Sequence, residues 1–164
     1  MPVVTFSVPF VVPKGRPRFS GHAYTPKRTE QAERKVRDAY KGASIRKYGH
    51  VVTAPEGVPV TIAVAARKGA PKSRPMYLPK PIWDVGRWAF TSTPDVDNLL
   101  KLCCDALNPV THTDKKTRRQ VVDEYVAWHD DSQITEMHGF KLDRMRGTSD
   151  TTFVLVMWEE SNEH

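Results

Sequence analysis

Cysteine is nearly absent from this chain, which has only Cys103 and Cys104, side by side. Adjacent cysteines cannot staple a loop to a distant segment, and no further Cys completes a zinc cage. A reducing, cytoplasmic setting is the expectation that follows. Long apolar runs are missing as well. Nothing approaches the roughly 20 apolar residues of a spanning helix, and the opening MPVVTFSVPFVVPKGR lacks the basic start of a secretory leader. A membrane or secreted protein is therefore not expected. With neither a Walker loop nor GxGxxG, a nucleotide-driven motor is excluded. No motif supports a Ser-His-Asp or Cys-His nucleophilic system, and there is no internal repeat or low-complexity tract.

The 164 residues, 39% hydrophobic and 9% aromatic, suffice for one domain with its own core. Net charge is +6, and it is unevenly spread. Between Lys14 and Lys47 there are 11 Lys or Arg against 3 acids, whereas the rest of the chain holds 14 basic and 16 acidic residues. A basic first third suits a polyanionic partner, although charge runs are often only solvated helix faces.

Val3 to Val12 is rich in Val and Phe and reads as a strand, with Pro9 marking an edge or bulge. Proline and glycine keep Lys14-Gly15-Arg16-Pro17-Arg18-Phe19 out of helix. A helix is expected over about 29–43, with Thr29 as N-cap and Gly42 near its stop. Val58 to Ala66 is the clearest strand. Residues 68–94 contain Pro71, Pro75, Pro79, Pro81 and Pro94, and read as a long functional loop in which Trp83, Trp88 and Phe90 need a packing partner. Val96, Leu99, Leu100, Cys103 and Leu107 then fall at helical spacing, with Asp95 or Asp97 near the helix start. Residues 109–125 are polar, with a short helix able to begin at Asp114. Residues 127–131 read as a strand end or turn, and 134–142 and 152–158 as two closing strands. The sum is a single α+β domain with a mixed sheet.

Two acidic clusters stand out. Asp95-Val96-Asp97-Asn98 sets two carboxylates at a helix start, and Asp130-Asp131 follows an aromatic segment. Clustered oxygen ligands suit Mg²⁺, which binds through few carboxylates plus water and phosphate oxygens and can polarise a phosphodiester. Lys101, four residues after Asp97, lies on the same helix face, where an ammonium can meet a phosphate. Each piece alone is also ordinary capping, a surface ion pair or a turn. Together with the basic third they leave nuclease, nucleotidyltransferase and DNA-binding protein open. His129 beside Asp130 is a ligand or base candidate, but more simply a surface histidine, and Cys103 falls on the apolar helix face and suits the core.

The order of motifs narrows this. Lys14-Gly15-Arg16-Pro17-Arg18-Phe19, Tyr24-Thr25-Pro26, Pro94-Asp95-Val96-Asp97-Asn98-Leu99-Leu100-Lys101, Asp105-Ala106-Leu107-Asn108 and Asp130-Asp131-Ser132-Gln133-Ile134 together resemble the RusA family of Holliday junction resolvases. The resemblance covers most of the chain. It implies an α+β fold and a homodimer that nicks opposed strands of a four-way junction in DNA recombination and repair. Asp95, Asp97 and Asp131 match the family's aspartates for Mg²⁺-dependent cleavage, with Mn²⁺ as an alternative ion, and Lys101 matches a lysine needed for activity. Asp130 aligns with a neighbouring acid that is a further ligand candidate. Lys14, Arg16, Arg18, Lys27 and Arg28 are the expected DNA contacts. The chain departs from the family pattern in two long stretches, about 68–93 and 109–127, either of which could add junction contacts or a dimer element. A less selective branched-DNA or flap nuclease and a catalytically inactive DNA-binding homologue are the competing readings.

Overall fold

A computed structural model describes residues 1–12, 14–15, 18–19, 23–92 and 94–159, with the backbone alone for 18, 19, 23 and 24. The elements in chain order are β1 (Val3–Val8), β2 (Arg18–Phe19), β3 (Ala23–Tyr24), α1 (Lys27–Tyr48), β4 (Val60–Arg67), α2 (Lys80–Val85), β5 (Arg87–Trp88), α3 (Val96–Leu107), β6 (Val110–Thr113), β7 (Gln120–Glu124), a 3₁₀ turn (Asp131–Gln133), β8 (Ile134–Leu142), β9 (Arg144–Met145) and β10 (Thr151–Trp158). The expected α+β class with a mixed sheet is what forms.

Four strands make the main sheet in the order β1-β10-β4-β8. The first two pairings are antiparallel, and β4 and β8 are parallel. Parallel neighbours need a crossover, and residues 68–133 supply it, carrying α3 on the way. Alternation along β4 turns Val60, Ile62, Val64 and Ala66 inward, and along β10 it buries Thr152, Val154, Val156 and Trp158. Helices α1 and α3 pack on each other and over this inner face. Tyr40, fully buried, meets Phe6 edge-to-face at 5.9 Å between ring centroids and donates its hydroxyl to the Val52 carbonyl at 2.7 Å.

Several expected boundaries move, each for a local reason. The first strand ends at Val8 rather than Val12, since Pro9 has no N–H to continue the ladder. α1 starts two residues before Thr29. The Pro26 carbonyl accepts from the N–H groups of Thr29 and Glu30, and the buried Thr29 hydroxyl accepts from the N–H of Gly15 at 3.2 Å instead of capping. Gly42 does not stop the helix. One glycine costs only about 1 kcal/mol in a helix interior, and the buried Ala43 and Ser44 lie beyond it. The stop is Gly49, whose φ of 81° lets its N–H reach the Ile45 carbonyl.

The 68–94 stretch contains α2, with Pro81 in its first turn, and β5, which pairs with β9. Its aromatics find their partners within the subunit. Trp83 and Trp88 lie 5.5 Å apart, and Trp88 and Phe90 are buried. Residues 109–125 hold no helix from Asp114. Thr111, Thr113, Val121 and Val122 are β-branched, and β6 and β7 pair as an antiparallel hairpin. Asp114 directs its carboxylate to the N–H groups of Lys116 and Thr117, which makes a turn instead of a helix start. Among the described residues no helix is long and apolar enough to cross a membrane.

Candidate active site

α3 buries Leu99, Leu102, Cys103, Ala106 and Leu107 and leaves Asp97 and Lys101 exposed. Its height over the sheet is set by Gly139 in β8. A Cβ there would overlap Val96 Cγ1 and come within 2.9 Å of Leu100 Cδ1. Only glycine lets the start of α3 lie directly on β8. Asp95 is the residue before the helix, extended and exposed, and its carboxylate makes no capping hydrogen bond.

The other half of the site is a locally determined turn. The Asp130 side chain caps the 3₁₀ turn by accepting from the Ser132 N–H at 2.8 Å, and this hydrogen bonding holds its carboxyl below the ordinary range. Gln133, 6% exposed, ties the segment down. Its Oε1 accepts from the N–H groups of His129 and Asp130 at 2.8 and 3.2 Å, while Nε2 donates to the carbonyls of Pro55 and Val58 at 2.7 and 3.0 Å. Trp128, fully buried just upstream, donates its indole N–H to Asn108 Oδ1 at the end of α3. The chain is thus pinned on both sides of Asp131, whose own carboxylate takes no part in the cap. His129 stacks on Tyr125 at 4.1 Å.

Asp97, Lys101, Asp105 and Asp131 line one cavity of about 420 Å³, walled by Leu100, Cys104, Ile134 and Met137. Apolar walls strengthen the charges that face each other across them. The Cys104 thiol registers this field: burial first, then the negative charges of Asp131 and Asp105, push it up to about 12. Asp95 does not line the cavity, and Asp130 is occupied by its cap. Among the described residues no three His, Cys, Asp or Glu side chains stand close enough to enclose a metal ion. Of the three carboxylates on this cavity Asp105 is paired with Lys14, and Asp97 and Asp131 suit Mg²⁺, which takes one or two protein oxygens and completes its shell with water and phosphate. A larger concavity, about 710 Å³, lies against the outer sheet face beside Ala63, Ala65, Phe140 and Phe153, and none of the motif residues reaches it.

Asp105, part of a motif in the sequence but given no role there, also lines the cavity, one helical turn beyond Lys101. It pairs with Lys14 at 2.6 Å, and Lys14 also pairs with Glu33 at 2.6 Å. Burial pulls the Lys14 ammonium down, but the two carboxylates outweigh it and hold its pKa above 10.5. An expected phosphate contact by Lys14 would therefore have to open both pairs. Arg16 and the side chain of Arg18 lie outside the described residues. Lys27 and Arg28 are exposed on the first turn of α1.

No curated protein sequence matches the chain significantly. The family described as endodeoxyribonuclease RusA matches residues 9–149, a span that contains α1, α3, the Asp131 turn and the cavity between them. The chain belongs to the RusA endodeoxyribonuclease family.

Proposed function

We propose that this protein is a divalent-metal-dependent endodeoxyribonuclease that resolves four-way DNA junctions by paired nicks, working as a homodimer in the cytoplasm. The observation that carries this reading is the meeting of Asp97, Lys101 and Asp131 in one cavity of a RusA-family chain. Asp97 and Asp131, with Asp95 just before α3 as a further candidate, are the residues that would hold Mg²⁺, or Mn²⁺ in its place. When bound, the ion supplies Lewis-acid polarisation of the scissile phosphodiester and lowers the pKa of water. Lys101 offers an ammonium to a non-bridging phosphate oxygen, where negative charge grows in the transition state. Leu100, Ile134 and Met137 set apolar surface beside these charges. Lys27 and Arg28, together with Arg16 and Arg18, are the proposed backbone contacts that deliver the strand. One carboxylate cluster per chain and two symmetry-related nicks per junction favour two copies about a two-fold axis.

The test is nicking of a fixed four-way junction against linear duplex, with Mg²⁺, with Mn²⁺ and with EDTA, beside sedimentation equilibrium. Paired, metal-dependent nicks at the junction support the reading. Asp97→Asn and Asp131→Asn are expected to abolish cleavage while junction binding persists, because losing a carboxylate lowers repulsion with phosphate. Equal rates on linear duplex would replace it with an unselective nuclease. Binding without cleavage would mark an inactive DNA-binding homologue, and a monomer that still makes paired nicks would remove the dimer.

A further inference from the structure

The β6–β7 hairpin stands apart from the main sheet as its own two-stranded unit. An isolated hairpin is marginal in water, and this one is fixed at its root. Ala127 donates its N–H to the Leu107 carbonyl at 3.1 Å, the Trp128 indole reaches Asn108, and Glu124 pairs with Lys41 of α1 at 2.6 Å. The root therefore lies between the end of α3 and the segment leading to Asp131.

The tip is a built turn. Asp114 donates its N–H to the Arg119 carbonyl and accepts from the N–H of Arg118 on its own carbonyl, both at 2.9 Å. Arg118 adopts φ of 58°, the left-handed conformation that closes the loop. Backbone N–H groups of Thr117 and Lys116 hold the Asp114 carboxyl below its ordinary range, so the tip's one acid serves the backbone. Lys115, Lys116, Arg118 and Arg119 are all exposed, and none of the four is in an ion pair among the described residues. Four cations within five residues, on a turn of fixed shape, match a row of phosphates. From Val110 to the turn the strand spans roughly 15 Å, about four nucleotides at the spacing of one DNA strand.

We propose that the hairpin is an arm that grips the DNA backbone several nucleotides from the cleaved bond, through Lys115, Lys116, Arg118 and Arg119. This rests on the reading that the substrate is DNA. Contacts to the phosphate backbone add affinity without sequence preference.

The experiment uses the full chain with all four residues changed to Gln, and a second variant with Lys115→Arg and Lys116→Arg. Junction binding is measured in EDTA across a salt series, and thermal unfolding checks the fold. The Gln variant is expected to unfold like the wild type and to reduce the slope of log K against log[salt] by about 2 to 4, near 0.9 per lost phosphate contact. The Arg variant is expected to keep the full slope. An unchanged slope in the Gln variant, while the wild type still nicks junctions, would overturn the arm and leave the nuclease reading standing. An unchanged slope with altered sedimentation would make the hairpin a protein contact instead, which also overturns it. A wild type that neither binds nor nicks branched DNA would bring down both.

Discussion

Gln133 offers the sharpest test of how the Asp131 turn is held. In Gln133→Leu, two N–H donors (His129 and Asp130) and two carbonyls (Pro55 and Val58) lose their partner together. At about 0.5–1.5 kcal/mol of net stability per bond, with water recovering part of the loss, the sum is roughly 3 kcal/mol. For a domain of this size that lowers Tm by roughly 6–12 °C. Gln133→Glu probes the same bonds differently, because it keeps the acceptor but turns a second oxygen toward the two carbonyls. Burial and those carbonyls disfavour its charged form, so its folded pKa rises above the ordinary value of about 4.3. The folded state then binds more protons than the unfolded one between those two pKa values, so stability falls as pH rises through that window. A protonated carboxyl has one O–H where the Gln133 amide has two N–H donors, so the Glu variant loses about one hydrogen bond around pH 4 and is penalised further at pH 8, by circular dichroism melts at both. Cleavage falls as well, since a shift of Asp131 on the order of 1 Å can cost about 10²-fold. A Leu variant melting within about 1 °C of wild type, or a Glu penalty independent of pH, would refute the reasoning.

Other expectations separate roles that the sequence leaves merged. Asp130→Asn retains an acceptor for the Ser132 N–H and should keep cleavage within several-fold, whereas Asp130→Ala should lower it together with Tm; complete loss in the Asn variant would make Asp130 a ligand. Gly139→Ala forces Val96 and Leu100 away from β8, costing about 1–3 kcal/mol by overpacking, and should reduce cleavage more than junction binding, read by melts and paired nicking and binding assays. Lys14→Met leaves Glu33 and Asp105 without their cation and should cost about 1–2 kcal/mol, with the salt slope of DNA binding unchanged; a slope smaller by about 1 would place Lys14 on a phosphate.

Much of the fold is periodic and therefore local. Alternation in β4 and β10, and the helical spacing of Leu99, Cys103 and Leu107, follow from the chain's own pattern, and both element types formed where the pattern put them. The pairing of Asp97 with Lys101 on one helix face is local in the same sense, as is the Asp130-x-x-Gln133 box, a capping signature readable in four letters. Less local features escaped. Thr29 reads as a cap, but Gly15, fourteen residues earlier, claims its hydroxyl. Asp114 reads as the start of a short helix, and pairing of β6 with β7 made it a turn instead. What only the tertiary structure decided is that Asp97 and Asp131 share a cavity: β8 runs parallel to β4, the crossover lays α3 across it, and the missing side chain at Gly139 lets the helix sit close enough. The same packing brings Asp105 to Lys14, because ion-pair partners are chosen by proximity in space, which spacing along the chain does not encode.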